Sequence, residues 1–478
     1  MNKNIKYIFV DLDGTLIRTD IFLESILMLI KQNPLSVFLI IFWILQGRSV
    51  AKDKIAGLVK LNAETLPYTN ELIDYLKEQK KKNICIILAT ASNHTYADAI
   101  ANHLGIFDMV IASDARKNLK GSNKLAAIRN ITGVDEFAYA GNSLADRPIW
   151  DAASSNILVN APRKDIKNAK SKDKAEKIIN NKKSSFNAFL RAMRLHQWAK
   201  NILIFTPLFT SHIYYEIQTV ITATIAFFSF SICASGVYFL NDMLDLEADR
   251  LHHKKRFRPL ASGELPLPTG IIGAIFLPCI AFVLAWTFLP TSFFFVLLFY
   301  YMTTNAYSFF LKGISTADVM TLAILYTLRV VAGAFAINVE LSSWLLAFSI
   351  FTFVSLAYLK RYIELHSLSE NKSKAHGRGY SASDCETMFT LGISNITASV
   401  LVLALYINSQ EVAGLYKSPK LLWLLCLLML YWGNRIWIGA RRGKISDDPI
   451  VFAINDKVSQ IIGIGFILVV LSAKYYQF

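Results

Sequence analysis

The stretch "NDMLDLEADRLHHKKRFRPLASG", from Asn241 to Gly263, packs four acids and five bases between two long uncharged apolar runs. Asn241, Asp242, Asp245 and Asp249 recur at three- and four-residue intervals, so on a helix they share one face about a turn apart. Like charges at that spacing repel, and some would hold protons unless a cation sits among them. Mg2+ meets that need, because it keeps waters and bridges carboxylates to substrate phosphates. Lys255, Arg256 and Arg258 then offer positive charge to the oxygens a metal leaves uncovered. The chemistry indicated is a diphosphate site. Mutual neutralisation of acids and bases at a membrane surface would not account for the three-four spacing.

A second constellation lies near the N-terminus. Asp11 and Asp13 follow the apolar run "YIFV", Thr90 ends "ICIILAT", and Lys124 stands in "GSNKLAAIRNI". Asn142 and Asp146 belong to "GNSLAD", directly after "FAYA". One carboxylate can attack phosphorus and a second, two residues on, can protonate the leaving oxygen, while a hydroxyl and an ammonium hold the transferring group. The elements that must position these residues are short apolar runs alternating with helical stretches from Met1 to about Lys183, including "MVIA" and "ILVN". That alternation predicts a parallel sheet flanked by helices. In such sheets chemistry gathers beyond the carboxyl ends of the strands, where these polar residues fall.

"DLDGTL", Thr90, Lys124 and "GNSLAD" resemble, in order, the four motifs of the haloacid dehalogenase (HAD) phosphatases. The resemblance implies an α/β Rossmann-like domain over residues 1–162, with Asp11 as nucleophile and Asp13 as acid/base. It also implies Mg2+ held by Asp11, the Asp13 carbonyl, Asn142 and Asp146. Asn142 stands where the family usually has an acid, which removes one formal charge from the metal site. Between about residues 16 and 83 lies a helical insertion of the kind that caps such sheets. Part of it, "PLSVFLIIFWILQ", is short for a membrane span, and reads either as a helix docking the cap onto the membrane or as one buried inside the cap. The basic, polar stretch 163–187 reads as a linker lying near anionic lipid.

Composition bounds the rest. At 478 residues and 54% hydrophobic, the chain is too apolar for an ordinary soluble protein. Nearly uncharged windows at 219–240, 266–290, 292–310, 318–336, 343–365, 389–408, 420–440 and 458–476, with a shorter one near 200–215, predict nine spans. The connections sharing a side with the N-terminal third carry most of the Lys and Arg, the positive-inside pattern, which predicts that this third and the 241–265 loop face the cytoplasm of a bacterial inner membrane. A net charge of +15 suits anionic headgroups and anionic substrates. No nucleic-acid motif is present. Cys85, Cys233, Cys279, Cys385 and Cys426 are scattered and read as reduced packing residues.

"NDxxDxxxD" in an all-helical membrane chain resembles the UbiA family of intramembrane prenyltransferases, over residues 188–478. That family folds as nine helices around a cavity open to the cytoplasm, and most members use a second aspartate-rich motif. Here "LKRYIELHS" occupies the comparable place, with Lys360 and Arg361 where acids are expected and Glu364 after them. A basic pair cannot hold a second metal, but it can hold a phosphate.

Other stretches resemble the branch typified by decaprenyl-phosphate phosphoribosyltransferase. "RLHQWAKNILIFTPL" supplies Arg194, Lys200 and Asn201. "YSFFLKGISTADVMTLAILYTLRVVAGA" supplies Tyr307, Lys312, Asp318 and Arg329, and "HGRGYS" supplies Arg378 and Tyr380. The implied substrates are phosphoribosyl pyrophosphate (PRPP) and a polyprenyl phosphate. Arg329 would lie about 16 Å into its span, where a charge is costly unless it lines a polar cavity.

The expected activity is Mg2+-dependent transfer of 5-phosphoribose to the lipid phosphate, followed by removal of the 5-phosphate by the HAD-like domain. The rivals are a prenyltransferase using a prenyl diphosphate, which would call for a second acidic cluster, a transferase whose HAD-like domain is only a docking module, and a transporter, which would call for paired broken helices. Lipid chain length, downstream pathway and oligomeric state are not written in the sequence.

Overall fold

The structure is a computed structural model that describes residues 5–114, 118–133, 135–181, 184–370, 379–445 and 448–476. It divides into two compact units, residues 1–193 with 238–274, and residues 194–237 with 275–478.

The first unit is built on a six-stranded sheet in the order β3-β2-β1-β4-β5-β6: β1 Tyr7–Val10, β2 Cys85–Asn93, β3 Met109–Ser113, β4 Phe137–Gly141, β5 Ser155–Val159 and β6 Ala175–Ile179. All five pairings are parallel. β1, β4 and β5 are almost wholly buried, which is why they read as unbroken apolar runs. Val10 pairs with Leu88 on one side and Ala140 on the other, so the chain emerges at Asp11 from the middle of the sheet.

The stretch read as a linker is folded instead. Residues Arg163–Ser171 form a helix and Ala175–Ile179 form the edge strand β6, paired with β5. An edge strand tolerates charge on its open side, so "AEKII" carries none of the alternation that would announce it.

The insertion between β1 and β2 is helical, as expected. Helices Ile21–Gln32, Ser36–Gln46 and Arg48–Leu58 share a small core of Leu29, Ile40, Ile55 and Val59. The helix Asn70–Lys80 packs Leu72 and Leu76 into the core of the sheet, so it belongs to the sheet layer and the cap ends before it. Helix Ser36–Gln46 is not buried inside the cap: only Ser36 and Ile40 are covered, while Phe38, Leu39, Ile41, Phe42 and Leu45 are each more than half exposed.

The remainder is helical. Among the described residues seven helices are long and apolar enough to cross a membrane: Ile217–Leu244, Leu267–Phe288, Ala317–Ala336, Ser343–His366, Cys385–Ile407, Pro419–Arg441 and Lys457–Tyr475. An eighth, Thr291–Phe309, coincides with another expected span, but its last turns, "TTNAYSF", are polar. The short window near 200–215 is not a span. It forms a 3-10 stretch, Leu195–Phe205, and a five-residue helix, Thr206–Thr210. Among the described residues, then, seven of the nine expected spans are helices long and apolar enough to cross a membrane, and an eighth is borderline.

Candidate functional site

At the carboxyl ends of β1, β2 and β4 the structure brings together the four predicted HAD-type elements. Lys124 Nζ donates to Asp11 Oδ1 at 2.6 Å, both side chains being nearly covered. Burial pushes the Asp11 carboxyl up, Lys124 opposes this, and the charge of Asp146 adds to it. Asp13 accepts from Ile21 N at 2.9 Å and from Ser92 Oγ at 2.5 Å. Burial raises it to about 7, with Asp20 contributing. Thr90 is fully buried and its hydroxyl accepts from Ser92 N at 3.0 Å. Gly14, at φ +75°, is required here: a Cβ would sit 2.0 Å from the Asn142 side-chain nitrogen.

Sequence reasoning missed three participants. Tyr139 is buried in β4, and its hydroxyl donates to Asp146 at 2.8 Å while accepting from Lys124 at 3.1 Å. Ser92, just past Thr90, holds Asp13. Lys52, on the third cap helix, donates to the Ala91 carbonyl at 2.5 Å, next to Thr90 and Ser92. Burial lowers its pKa, and the nearby Asp13 and Asp20 work against that. Lys52 had no legible signal, because cap residues reach a site only through the fold.

The residues fit a metal poorly at this site. Asp146 Oδ2 accepts from Asn142 N, Ser143 N and Ser143 Oγ at 2.9 to 3.1 Å, and its Oδ1 accepts from Tyr139. With Asn142 neutral and Asp146 saturated, Asp11, paired with Lys124, is the remaining carboxylate side chain of that set. Among the described residues no group of three or more His, Cys, Asp or Glu side chains comes together as a metal site.

The aspartate-rich stretch is helical as its spacing predicted. The i to i−4 bonds run on from Asn241 through Asp245 to Asp249, although Asp245 itself is a turn between helices Ile217–Leu244 and Leu246–Leu251. Asp242 and Asp249 are buried and converge on Arg258 Nη1, at 3.1 and 2.6 Å. Arg258, read as a diphosphate contact, is thus a clamp on the acids. Burial pushes Asp249 up, Arg258 opposes this, and Asp242 adds to it. Two buried carboxylates aimed at one positive atom, one of them hard to ionise, suit a divalent cation. Asp242 and Asp249 would hold it. Asp245 instead accepts from Lys31 at 3.0 Å. Lys255 is half-buried and Arg256 exposed.

In the second unit the predicted polar residues form two groups. Arg329 Nε donates to Asn201 Oδ1 at 2.8 Å, and Asn201 donates to Ser231 at 2.9 Å. The rings of Phe230, Tyr300 and Tyr326 each lie 5.3 to 5.4 Å from the Arg329 guanidinium. Beside Tyr326, Lys200 donates to Asp448 Oδ2 at 2.6 Å, and Lys360 donates to the same oxygen at 3.3 Å. Burial would raise Asp448, but Lys360 and Lys200 together outweigh it and hold this carboxyl well below its usual range. The acidic "DDP" was visible in the sequence, yet nothing there tied Asp448 to the lysines.

The other group is closed. Arg361 is buried and forks onto Asp318, with Nη2 at 2.8 Å from Oδ1, while Nη1 donates to Glu364 at 2.6 Å. Tyr307 joins them, donating to Asp318 at 2.8 Å and accepting from Arg361 at 3.0 Å. Arg361, expected beside Lys360 as a phosphate contact, is thus engaged by the carboxylates of Asp318 and Glu364. Tyr380 accepts from Thr316 N at 2.8 Å, at the start of helix Ala317–Ala336, and Lys312 lies in the short turn Leu311–Gly313 before it. Arg194 starts the 3-10 stretch at φ +54°. Arg378 lies outside the described residues.

A parallel-sheet unit with HAD-type motifs at its strand ends, joined in one chain to long apolar helices, defines a multipass membrane protein carrying a haloacid dehalogenase-like domain. The haloacid dehalogenase-like hydrolase family matches residues 8–150. The chain belongs to the UbiA prenyltransferase family, which matches residues 204–455.

It is 34% identical to the uncharacterized protein y4nM of Sinorhizobium fredii, over 95% of this chain and 88% of that one. It is 29% identical to a decaprenyl-phosphate phosphoribosyltransferase of Mycobacterium tuberculosis, over 59% of this chain and 93% of that one. A UbiA homolog from Archaeoglobus fulgidus bound to GPP and Mg2+ is 16% identical, covering 59% of this chain and 99% of that one, with a TM-score of 0.45.

Proposed function

We propose that this protein transfers 5-phosphoribose from PRPP to a polyprenyl phosphate, and that its HAD-like domain then removes the 5-phosphate. The observation that carries the first step is the meeting of Lys200 and Lys360 at one carboxylate, Asp448. Two ammonium groups so placed suit a bare phosphate better than a second Mg2+. The name of the mycobacterial relative supports the same donor group and acceptor class. A prenyl diphosphate donor fits this basic arrangement less well.

In the transfer, an oxygen of the lipid phosphate attacks the anomeric carbon. The bond from that carbon to the pyrophosphate oxygen breaks, and pyrophosphate leaves with the electron pair. The nucleophile is already an anion, so no general base is needed, and alignment and charge stabilisation do the work. Lys255 and Arg256 bind the outer oxygens of the leaving group, and Lys200 and Lys360 hold the phosphate of the second substrate. Mg2+ bound by Asp242 and Asp249 would supply charge neutralisation on the pyrophosphate. Inversion from the α donor gives a β linkage.

In the second step Asp11 attacks phosphorus, and the bond to the ribose 5-oxygen breaks as Asp13 gives that oxygen its proton. Water then hydrolyses the acyl phosphate on Asp11. Asp13 suits the role because a carboxyl raised to about 7 still carries a proton near neutral pH. On this reading residues 1–193 and the 241–265 loop face the cytoplasm of a bacterial inner membrane. A second reading, transfer with an inactive HAD-like docking module, is favoured by the saturation of Asp146 and by Asn142.

Purified protein incubated with labelled PRPP, Mg2+ and a short polyprenyl phosphate, followed by lipid mass analysis, tests all of these. Phosphoribosyl lipid that later loses one phosphate is the expected result. Labelled lipid that never loses it favours the docking module, and activity with prenyl diphosphate alone would sink the donor assignment.

A further inference from the structure

The cap that stands over the phosphatase-like site also grips the aspartate-rich segment, since residues 238–274 pack within the first unit. Arg250 forks onto Glu24: Nη1 donates to Oε2 at 2.9 Å and Nη2 to Oε1, and both side chains are covered. Lys31, two turns along the same cap helix, donates to Asp245. Arg191 pairs with Glu264 at 2.5 Å. Gly263, at φ +70°, lies so close to Arg18 that a Cβ there would come within 2.6 Å of the Arg18 carbonyl oxygen.

The Glu24 fork reaches in both directions. Towards the phosphatase-like site, Thr19 Oγ1 donates to Glu24 at 2.5 Å, and the helix bearing Glu24 starts where Ile21 N binds Asp13. Towards the aspartates, Arg250 directly follows Asp249, and its Nε donates to the Ala261 carbonyl at 3.0 Å. One guanidinium therefore fixes the end of the aspartate-rich helix and the returning loop that carries Arg258 back to Asp242 and Asp249. Between the two helices lies a cleft of about 370 Å³, lined by Glu24, Lys31, Met243, Leu246, Glu247 and Arg250, and the ion pairs of Glu24 and Lys31 join its two sides.

We propose that Glu24 is a positioning residue for the aspartate-rich helix, acting through Arg250 on Asp249, so that the HAD-like domain helps build the cation site of the transferase. This rests on the reading of Asp242 and Asp249 as the pair that holds Mg2+ for the diphosphate donor. It makes the domain necessary to the transfer step quite apart from any phosphatase activity. Removing the Glu24 charge leaves a buried guanidinium uncompensated, and the helix must shift to bring Arg250 to water.

The test uses the full chain in lipid nanodiscs, with Glu24→Gln, which keeps shape and loses charge, and Arg250→Lys, which keeps charge and loses the fork. Two quantities are read: the Mg2+ concentration giving half-maximal phosphoribose transfer, and backbone hydrogen exchange over residues 245–262. Glu24→Gln is expected to raise the Mg2+ midpoint about tenfold or more, the usual effect of losing a group that orients a metal ligand, and to speed exchange in that segment. Arg250→Lys, which keeps an ion pair with Glu24, should shift the midpoint less than Glu24→Gln does. A loss of folded protein alone would lower the maximal rate and leave the midpoint where it was. An unmoved midpoint overturns the proposal, whether or not exchange quickens. If the parent transfers no phosphoribose at any Mg2+ concentration, the donor reading fails, and unchanged exchange in Glu24→Gln would then overturn the positioning role separately.

Discussion

Asp13 sets a pH signature that can be worked out in sign. Its folded value, about 7, stands above the ordinary 3.8 chiefly because it is buried. As an acid it loses the proton it must donate when pH rises through about 7, so removal of the 5-phosphate should slow along an alkaline limb there, and Asp13→Asn should abolish the reaction. The same shift acts on stability: the contribution is full below the unfolded value and is lost as pH rises through the folded one. The melting temperature of parent protein should therefore fall more between pH 5 and 8 than that of Asp13→Asn. At Asp11, Asp11→Asn keeps the shape and removes the attacking charge, so phosphoribosyl lipid should accumulate by mass spectrometry. Asn142→Asp adds a cation ligand and should speed dephosphorylation. In the other site Asp242→Asn is expected to reduce phosphoribose transfer on the order of a hundredfold, while a ready-made phosphoribosyl lipid is still dephosphorylated.

Among the elements, the approach of the 3-10 stretch 195–205 to helix Ala317–Ala336 depends on Gly333, where a Cβ would lie 2.0 Å from the Ile204 carbonyl oxygen. Gly333→Ala should push the two apart, cost about 1–3 kcal/mol, and separate Asn201 from Arg329, which would appear as slower phosphoribose transfer along with a lower melting temperature. The uncovered helix Ser36–Gln46 bears apolar residues around most of its circumference, and that suits insertion at a membrane interface. A fluorophore at Phe38 should be quenched by brominated phospholipids, and absence of quenching would point to a protein partner for this helix.

How much of this was legible follows from the elements themselves. Strands β1 to β5 and eight long helices show in the sequence because each carries its own continuous apolar run. β6 does not, since Glu176 and Lys177 interrupt its apolar pattern. The motif residues Asp11 and Thr90 were readable because each sits on or just after an apolar strand run, and Lys124 because it opens the helical segment that precedes β4. The fate of Arg361 was not, because Asp318 lies 43 residues away and only the packed helices bring it near.

For the whole molecule, sidedness is the broadest commitment. A cysteine replacing the exposed His253, in a variant lacking native thiols, should react only with reagents that reach the cytoplasm; labelling from outside the cell would overturn both the orientation and the use of a cytoplasmic phosphosugar. Gly263 would be a poor site for such a probe, given how close Arg18 lies. The pairing of Glu24 with Arg250 also has a consequence in time. The two are 226 residues apart, so at about 5–20 residues per second a ribosome needs roughly ten to forty-five seconds to make the second after the first. During that interval the sheet and cap can fold, but the carboxylate of Glu24 has no guanidinium, and the surface around Arg18 stands open. Helix Ile217–Leu244 must enter the bilayer before either gap closes. Maturation of the N-terminal domain is thus tied to successful insertion of a membrane segment made later, and a stalled or misinserted chain would leave that domain unfinished and open to proteolysis.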